Sequence, residues 1–274
     1  MDQVTSTFAR AKLLPRTMTA LIGGGAFLTA AWAGGVWWVA IMAILALLAG
    51  IEYAGLHPQV AARNAVPAGA VLAVLLAGAG IWMDQLLLML GAFVFFGGVV
   101  PWIARGMDPH RWAQPAMLIL VQGVAYVGVP LGVLARWRLQ GTFDGVLWML
   151  VIVWAGDIAA YFVGLLVGRH KMAPKVSPGK SWEGAAAGLA AGAFAGLLAG
   201  PVFGLGPLGA IALGAITSIT AQSGDLFESA LKRRAGVKDS GGLLPGHGGV
   251  LDRFDAVFFA APVAYGLLKL WGRL

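Results

Sequence analysis

The chain contains no cysteine, which removes disulfides, thiolate zinc sites and iron–sulfur clusters from consideration. It is almost as poor in charge. Asp, Glu, Lys and Arg make up 11% of 274 residues, where a soluble domain carries about 25%. That is too little polar surface to coat a water-facing globule, and it excludes a disordered chain, a nucleic-acid-binding domain and a soluble nucleotide enzyme with one anchor. Acid is the scarcer sign, 12 residues against 19 basic ones, for a net charge of +7. What the chain does have is apolar material, 59% of its residues, and a mean hydropathy of +0.82. Its length allows up to about ten bilayer spans of roughly 20 residues. The 41 glycines are about twice the usual share and suit helices that approach closely in a membrane. In so apolar a chain, the positive charge points to orientation and to anionic partners such as lipid headgroups and phosphates, with no nucleic acid among them.

Apolar runs broken by charge and by Gly/Pro clusters predict an all-α, polytopic integral membrane protein with about nine transmembrane helices. The expected spans are 17–33, 36–56, 66–82, 86–103, 115–135, 144–168, 182–203, 207–223 and 252–272. Two connections are long and polar, 169–181 and 224–251. With the N-terminus cytoplasmic, one side collects Arg10, Lys12, Arg16, Arg63, Arg105, Arg111, Arg169, Lys171, Lys175, Lys180, Lys232, Arg233, Arg234, Lys238 and Arg253. The other side holds Arg136, Arg138, Lys269 and Arg273. Such a bias obeys the positive-inside rule and disappears if one span is added or removed. Ala31-Trp32-Ala33 imitates a signal-peptide cleavage site, but the next apolar run begins almost at once and the basic residues before it serve as a cytoplasmic anchor. The expected organisation is an N-terminal set of about five spans, residues 1–143, and a catalytic membrane region, residues 144–274.

Acids cluster late: five of the twelve lie between Asp225 and Asp255. If residues 225–234 are helical, Asp225, Glu228, Ser229 and Lys232 share one face. Asp252 and Asp255 are likewise co-facial at the start of the last span, where the helix dipole alone would also favour them. Hard divalent cations such as Mg²⁺ take oxygen ligands, commonly one or two carboxylates plus substrate phosphates, and Asp225 with Asp252 or Asp255 supplies them. Lys232, Arg233, Lys238 and Arg253 can neutralise a polyphosphate. Gly241, Gly242, Gly246, Gly248 and Gly249 let backbone N–H groups reach phosphate oxygens, and His247 sits among them. This composes a phosphoryl- or nucleotidyl-transfer site at the membrane face.

The loop around Gly179-Lys180-Ser181 imitates the end of a Walker A motif, but the motif's first glycine falls on Pro174, and a membrane span precedes it instead of a buried strand. Asp157 interrupts an apolar span, which marks it as functional or as a hydrogen-bond acceptor towards another helix. Glu52, near a cytoplasmic helix end, reads as interfacial. His57, His110 and His170 lack ligand spacing.

The late segment resembles the phosphatidate cytidylyltransferases, or CDP-diacylglycerol synthases. Their pattern is matched by Ser229, Lys232-Arg233, Lys238-Asp239, Pro245-Gly246-His247-Gly248-Gly249 and Asp252-Arg253-Phe254-Asp255. Upstream, Asp157, Ala160-Tyr161, Gly164, Ser177-Pro178 and Glu183-Gly184 resemble a second block of the family. There the family has Ser-Pro-Lys-Lys-Thr, whereas Gly179 and Ser181 leave only Lys180. The resemblance covers residues 144–274. It implies a reaction of CTP with phosphatidate to give CDP-diacylglycerol and pyrophosphate. Asp225 and Asp252 would hold Mg²⁺, with K⁺ as a second cation. Lys232, Arg233, Lys238 and His247 would bind phosphates with help from Ser229, and the lipid headgroup would sit near Ser177, Lys180 and Asp157. It also implies a homodimer in the cytoplasmic (inner) membrane. A sister enzyme acting on another lipid phosphate, such as an isoprenoid ether lipid, fits the same motif. A secondary transporter using Asp157 for a coupling ion and a lipid-binding scaffold are readings of a different class.

Overall fold

The computed structural model describes residues 17–18, 21–58, 60, 63–79, 116–243 and 248–274. The expected span 86–103 lies outside the described residues, as do Arg105, His110 and Arg111. The described helices are α1 (Leu21–Ala33), α2 (Gly35–Gly55), α3 (Ala65–Gly78), α4 (Ala116–Gly123), α5 (Val129–Gln140), α6 (Phe143–Val167), α7 (Trp182–Ala199), α8 (Pro207–Arg234) and α9 (Leu251–Leu270). A π-helical turn, Val124–Gly128, joins α4 to α5 in one rod. Four segments are long and apolar enough to cross a membrane: Gly35–Gly55, Ile119–Gln140, Phe143–Val167 and Trp182–Ala199. The chain is thus a nearly all-α, multi-pass type of molecule.

Three expectations need correction. The connection 169–181 is not simply a loop, because β1 (Lys171–Ala173) and β2 (Ser177–Ser181) pair antiparallel within it, Lys171 facing Ser181 and Ala173 facing Ser177. The helix expected at 207–223 continues to Arg234, since Asp225, Glu228 and Lys232 recur on one face and find partners there; the polar connection shortens to 235–250. The helix expected at 115–135 runs on to Gln140, because Arg138 turns back onto the bundle, its Nε 2.5 Å from the Ala31 carbonyl and its Nη2 2.9 Å from that of Trp32. Those two carbonyls lie in the last turn of α1, where intrahelical donors run out.

Local signals place the helix starts. Thr142 Oγ1 accepts from the Gly145 N–H ahead of α6, and Ser181 Oγ from the Gly184 N–H ahead of α7, both ordinary N-caps. Pro207 opens α8, where its missing N–H costs nothing.

The α4–α5 rod is the centre of the bundle, 78% of its most apolar stretch being buried, whereas only 22% of that of α6 is. Leu165, Leu166, Ile158 and Phe162 point outwards from α6, as lipid-facing side chains do. Helix α7 packs against α6 and α8 through Gly184, Gly188, Gly192 and Gly196, one residue every four. A Cβ on Gly184 would lie 2.6 Å from the Ala160 carbonyl oxygen, and one on Gly196 would lie 2.5 Å from the Ala210 carbonyl oxygen. In a bilayer, where lipid is as apolar as leucine, such backbone proximity is what holds helices together. Tyr126, on the π turn, contacts Phe227 of α8 and Phe258 of α9 edge-on at 5.1 and 5.2 Å. The centre thereby fixes the two helices that carry the late acids.

Candidate active site

A cavity of about 680 Å³ opens between α6, the β-hairpin, α8 and α9. Its polar lining is Asp157 from α6, Ser177 and Lys180 from β2, Gln222 and Asp225 from α8, and Asp252, Arg253 and Asp255 from α9. Its apolar lining includes Trp154, Tyr161, Leu165, Met172 and Val257. Residues separated by up to about a hundred positions converge here because the Gly-spaced α7 pulls α6 and α8 together.

Lys180 Nζ lies 2.7 Å from Asp225 Oδ2, and Ser229 Oγ donates to Asp225 Oδ1 at 3.4 Å. Asp255 accepts the Ala256 N–H on Oδ1 at 2.7 Å and lines the same cavity as Asp225. Asp252 is more heavily engaged. Its Oδ1 is 2.7 Å from Lys232 Nζ, and its Oδ2 accepts from the Ser240 N–H, the Ser240 hydroxyl and the Gly249 N–H at 3.0, 2.9 and 2.8 Å. Lys232 also lies 2.5 Å from Glu228 Oε2, which is wholly buried. Among the described residues no three His, Asp or Glu side chains converge as a ready cage for a metal ion. Asp225, Asp252 and Asp255 share the cavity wall, but Asp252 also ties down the loop before α9.

The other expected residues divide. Ser177, Lys180, Asp157 and Arg253 line the cavity. Arg233 instead clamps the hairpin turn, donating from Nε to the Val176 carbonyl at 3.2 Å and from Nη1 to the Val237 carbonyl at 3.1 Å. Lys238 is exposed in the 235–250 connection. His247, with Pro245 and Gly246, lies outside the described residues. Gly248 takes a φ of 78°, a left-handed turn that favours glycine.

Two acids matter more than the sequence suggested. Glu228 is the buried partner of Lys232. Glu52, in α2, accepts the Val250 N–H on Oε1 at 3.0 Å, and the Leu251 N–H and Ser240 hydroxyl on Oε2 at 2.8 and 3.3 Å. The signal was present: one carboxylate in an apolar helix of 21 residues is expensive unless something needs it. At the same end His57 is buried, its Nδ1 donating to the Tyr53 carbonyl at 3.1 Å. That burial, with Arg234 nearby, pulls its pKa below the ordinary histidine value.

Acids and amines from three helices and a hairpin, around a pocket with one greasy wall, define a membrane-embedded nucleotidyltransferase. The chain belongs to the cytidylyltransferase family, whose pattern it matches over residues 14–271. Curated relatives carry the name phosphatidate cytidylyltransferase. The one from Brucella suis biovar 1 is 34% identical over 92% of this chain and 92% of its own length. That from Staphylococcus saprophyticus is 32% identical over 92% and 98%. The Pseudomonas aeruginosa protein is 48% identical over 59% of this chain and 60% of its own length.

Proposed function

We propose that the chain transfers the cytidylyl group of CTP to phosphatidate, forming CDP-diacylglycerol and pyrophosphate at the cytoplasmic face of the inner membrane, as a step of phospholipid biosynthesis. A phosphate oxygen of phosphatidate attacks the α-phosphorus of CTP, the bond to the β-phosphate oxygen breaks, and pyrophosphate leaves. The single observation that carries this reading is the cavity itself. It joins Lys180 and Arg253, which suit phosphate, and Asp225 and Asp255, which suit a cation, to the lipid-facing wall of α6. A lipid phosphate is already an anionic nucleophile at neutral pH, so catalysis rests on positioning and on stabilising charge.

Two carboxylates lining one cavity, with Lys180 paired to one of them, are a donor set that suits a hard cation. Asp225 and Asp255 would hold Mg²⁺, and Asp252 is the third candidate ligand in competition with its bonds to Lys232, Ser240 and Gly249. When bound, the cation supplies positive charge to the phosphates of CTP; K⁺ is the second cation of this reading. Lys180 and Asp157 would face the lipid headgroup, while Trp154, Tyr161 and Leu165 leave its tails in the bilayer. Lys232, Arg253, Lys238 and His247 would serve the nucleotide phosphates, and Arg233 would act by holding the hairpin. The enzyme is taken to be a homodimer. Asp157 shares its cavity with Lys180 and Asp225, which favours this reading over an ion-coupled transporter.

Purified protein in detergent is expected to convert labelled CTP and phosphatidate into a lipid-soluble nucleotide only when Mg²⁺ is present. Asp225→Asn should reduce turnover by about 10³-fold, the scale of losing a group that stabilises transition-state charge, without changing the unfolding temperature. A folded, inactive wild type would reject the reading. Equal or faster turnover of isoprenoid ether-lipid phosphates would replace phosphatidate with that substrate.

A further inference from the structure

Helix α9 begins without a side-chain cap of its own, its first residues being preceded by Val250. The first N–H groups of a helix need acceptors, and here those of Val250 and Leu251 are taken by Glu52, about 200 residues away in sequence and 5% exposed. Glu52 also accepts from Ser240, whose hydroxyl simultaneously lies on Asp252. The two carboxylates therefore hold Ser240 together with the residues just before and at the start of α9, Asp252 through Ser240 and Gly249 and Glu52 through Ser240, Val250 and Leu251. The glycines between make room for this grip. The atoms nearest a Cβ on Gly241 would all belong to Glu52, at 2.6 Å for Oε1, 2.9 Å for Cδ and 3.0 Å for Cγ, and a Cβ on Gly248 would lie 2.8 Å from Asp252 Oδ2.

We infer that Glu52 is a positioning residue of the active site: it latches the Gly-rich segment and the start of α9 to the N-terminal bundle, and so sets where Asp252, Arg253 and Asp255 present themselves to the nucleotide. The inference rests on the nucleotidyl-transfer reading for its kinetic part, but the latch itself can be observed without turnover. Both oxygens of Glu52 accept, and a glutamine offers only one acceptor, so Glu52→Gln keeps part of the latch and Glu52→Ala none.

The test combines hydrogen exchange of the whole detergent-solubilised protein with kinetics. In Glu52→Ala, amides of the 240–251 segment should exchange faster while those of α6 and α7 keep wild-type rates; a general loss of fold would speed all of them. With CTP and phosphatidate, Glu52→Ala should lose about 100-fold in kcat, the scale of a displacement near 1 Å, and raise KM for CTP but not for phosphatidate. Glu52→Gln should fall between it and the wild type. Gly241→Ala should slow the wild type about tenfold, on the order of 1.4 kcal/mol, yet add nothing in a Glu52→Ala background, because the atoms it would press on are gone. Unchanged exchange in Glu52→Ala overturns the latch. Faster exchange with unchanged kcat overturns its catalytic role, as does an additive loss in the double variant. If the wild type is inactive with these substrates, the function reading fails, while the exchange data still decide the latch.

Discussion

Lys232 stands between Glu228 and Asp252, at 2.5 and 2.7 Å, with Glu228 wholly buried and Lys232 itself only 13% exposed. In such a place the amine pairs with a buried acid, and the proposed reaction would give it a second job, presenting charge to phosphate; the two can be separated. Lys232→Met alone leaves Glu228 buried without its ionic partner, so that it must hold its charge unpaired or take up a proton, and should cost up to about 3–5 kcal/mol. Lys232→Met with Glu228→Gln removes both charges together and should recover most of that stability, read as the unfolding temperature in detergent. Turnover should stay at background in the double variant, since nothing replaces the amine at the phosphates. Wild-type turnover there would confine Lys232 to neutralising Glu228. The same residues show what a linear reading can and cannot reach. The co-facial spacing of Asp225, Glu228, Ser229 and Lys232 is visible in the sequence, because helical period needs only a count. That Asp252 spends its oxygens on Ser240, Gly249 and Lys232, while Glu52 shares the task from another helix, depends on a contact across nearly the whole chain. No local period encodes it.

Among the elements, α7 is the one whose composition most directly sets the architecture. Gly192 and Gly196 face α8, and a Cβ on Gly196 would stand 2.5 Å from the Ala210 carbonyl oxygen and the Gly214 Cα, both backbone atoms that cannot rotate away. Gly196→Ala should therefore push α7 from α8 and cost about 1–3 kcal/mol, as overpacking generally does. Because α8 carries Asp225, turnover should fall along with the unfolding temperature. Gly209→Ala, which would meet nothing nearer than its own Leu205 side chain at 3.6 Å, should leave both unchanged; equal damage from the two would remove the stripe as the cause. Long apolar runs make α2, α6 and α7 legible in the sequence alone. The hairpin is not legible there, because Ser177-Pro178-Gly179 has little strand propensity and is held by pairing with Lys171–Ala173 and by the grip of Arg233 on Val176. The π turn is equally hidden, since nothing in Val-Ala-Tyr-Val-Gly distinguishes it from ordinary helix; the close seat of Gly123 on Tyr53 and of Gly128 on Ala70 belongs to the packing.

At the scale of the whole molecule the described residues sort into two ends. One end gathers the hairpin, the described residues of the connection before α9 and the close of α2 at Glu52, all tied together by Arg233, Ser240 and the α9 start. The other gathers the α5–α6 turn, the α7–α8 turn and the chain's last residues, with Gly141 near Leu274 and Gly204 near Arg273. Basic residues crowd the first end. At the second, Arg138 is spent on closing α1, so part of its small positive complement is structural and does not oppose an orientation with the first end in the cytoplasm. CTP is a cytoplasmic substrate, and the proposed reaction requires the same orientation. The absence of cysteine offers a clean background for the measurement. Single cysteines at Lys175 and Lys238, both exposed at the first end, should react with a membrane-impermeant maleimide in inside-out vesicles and not in right-side-out ones. Cysteines at Gly206 and Arg273, exposed at the other end, should show the opposite pattern. A full inversion would place the site outside the cytoplasm and remove its access to CTP, whereas labelling of all four from one side would mean that the two ends do not lie across a membrane at all.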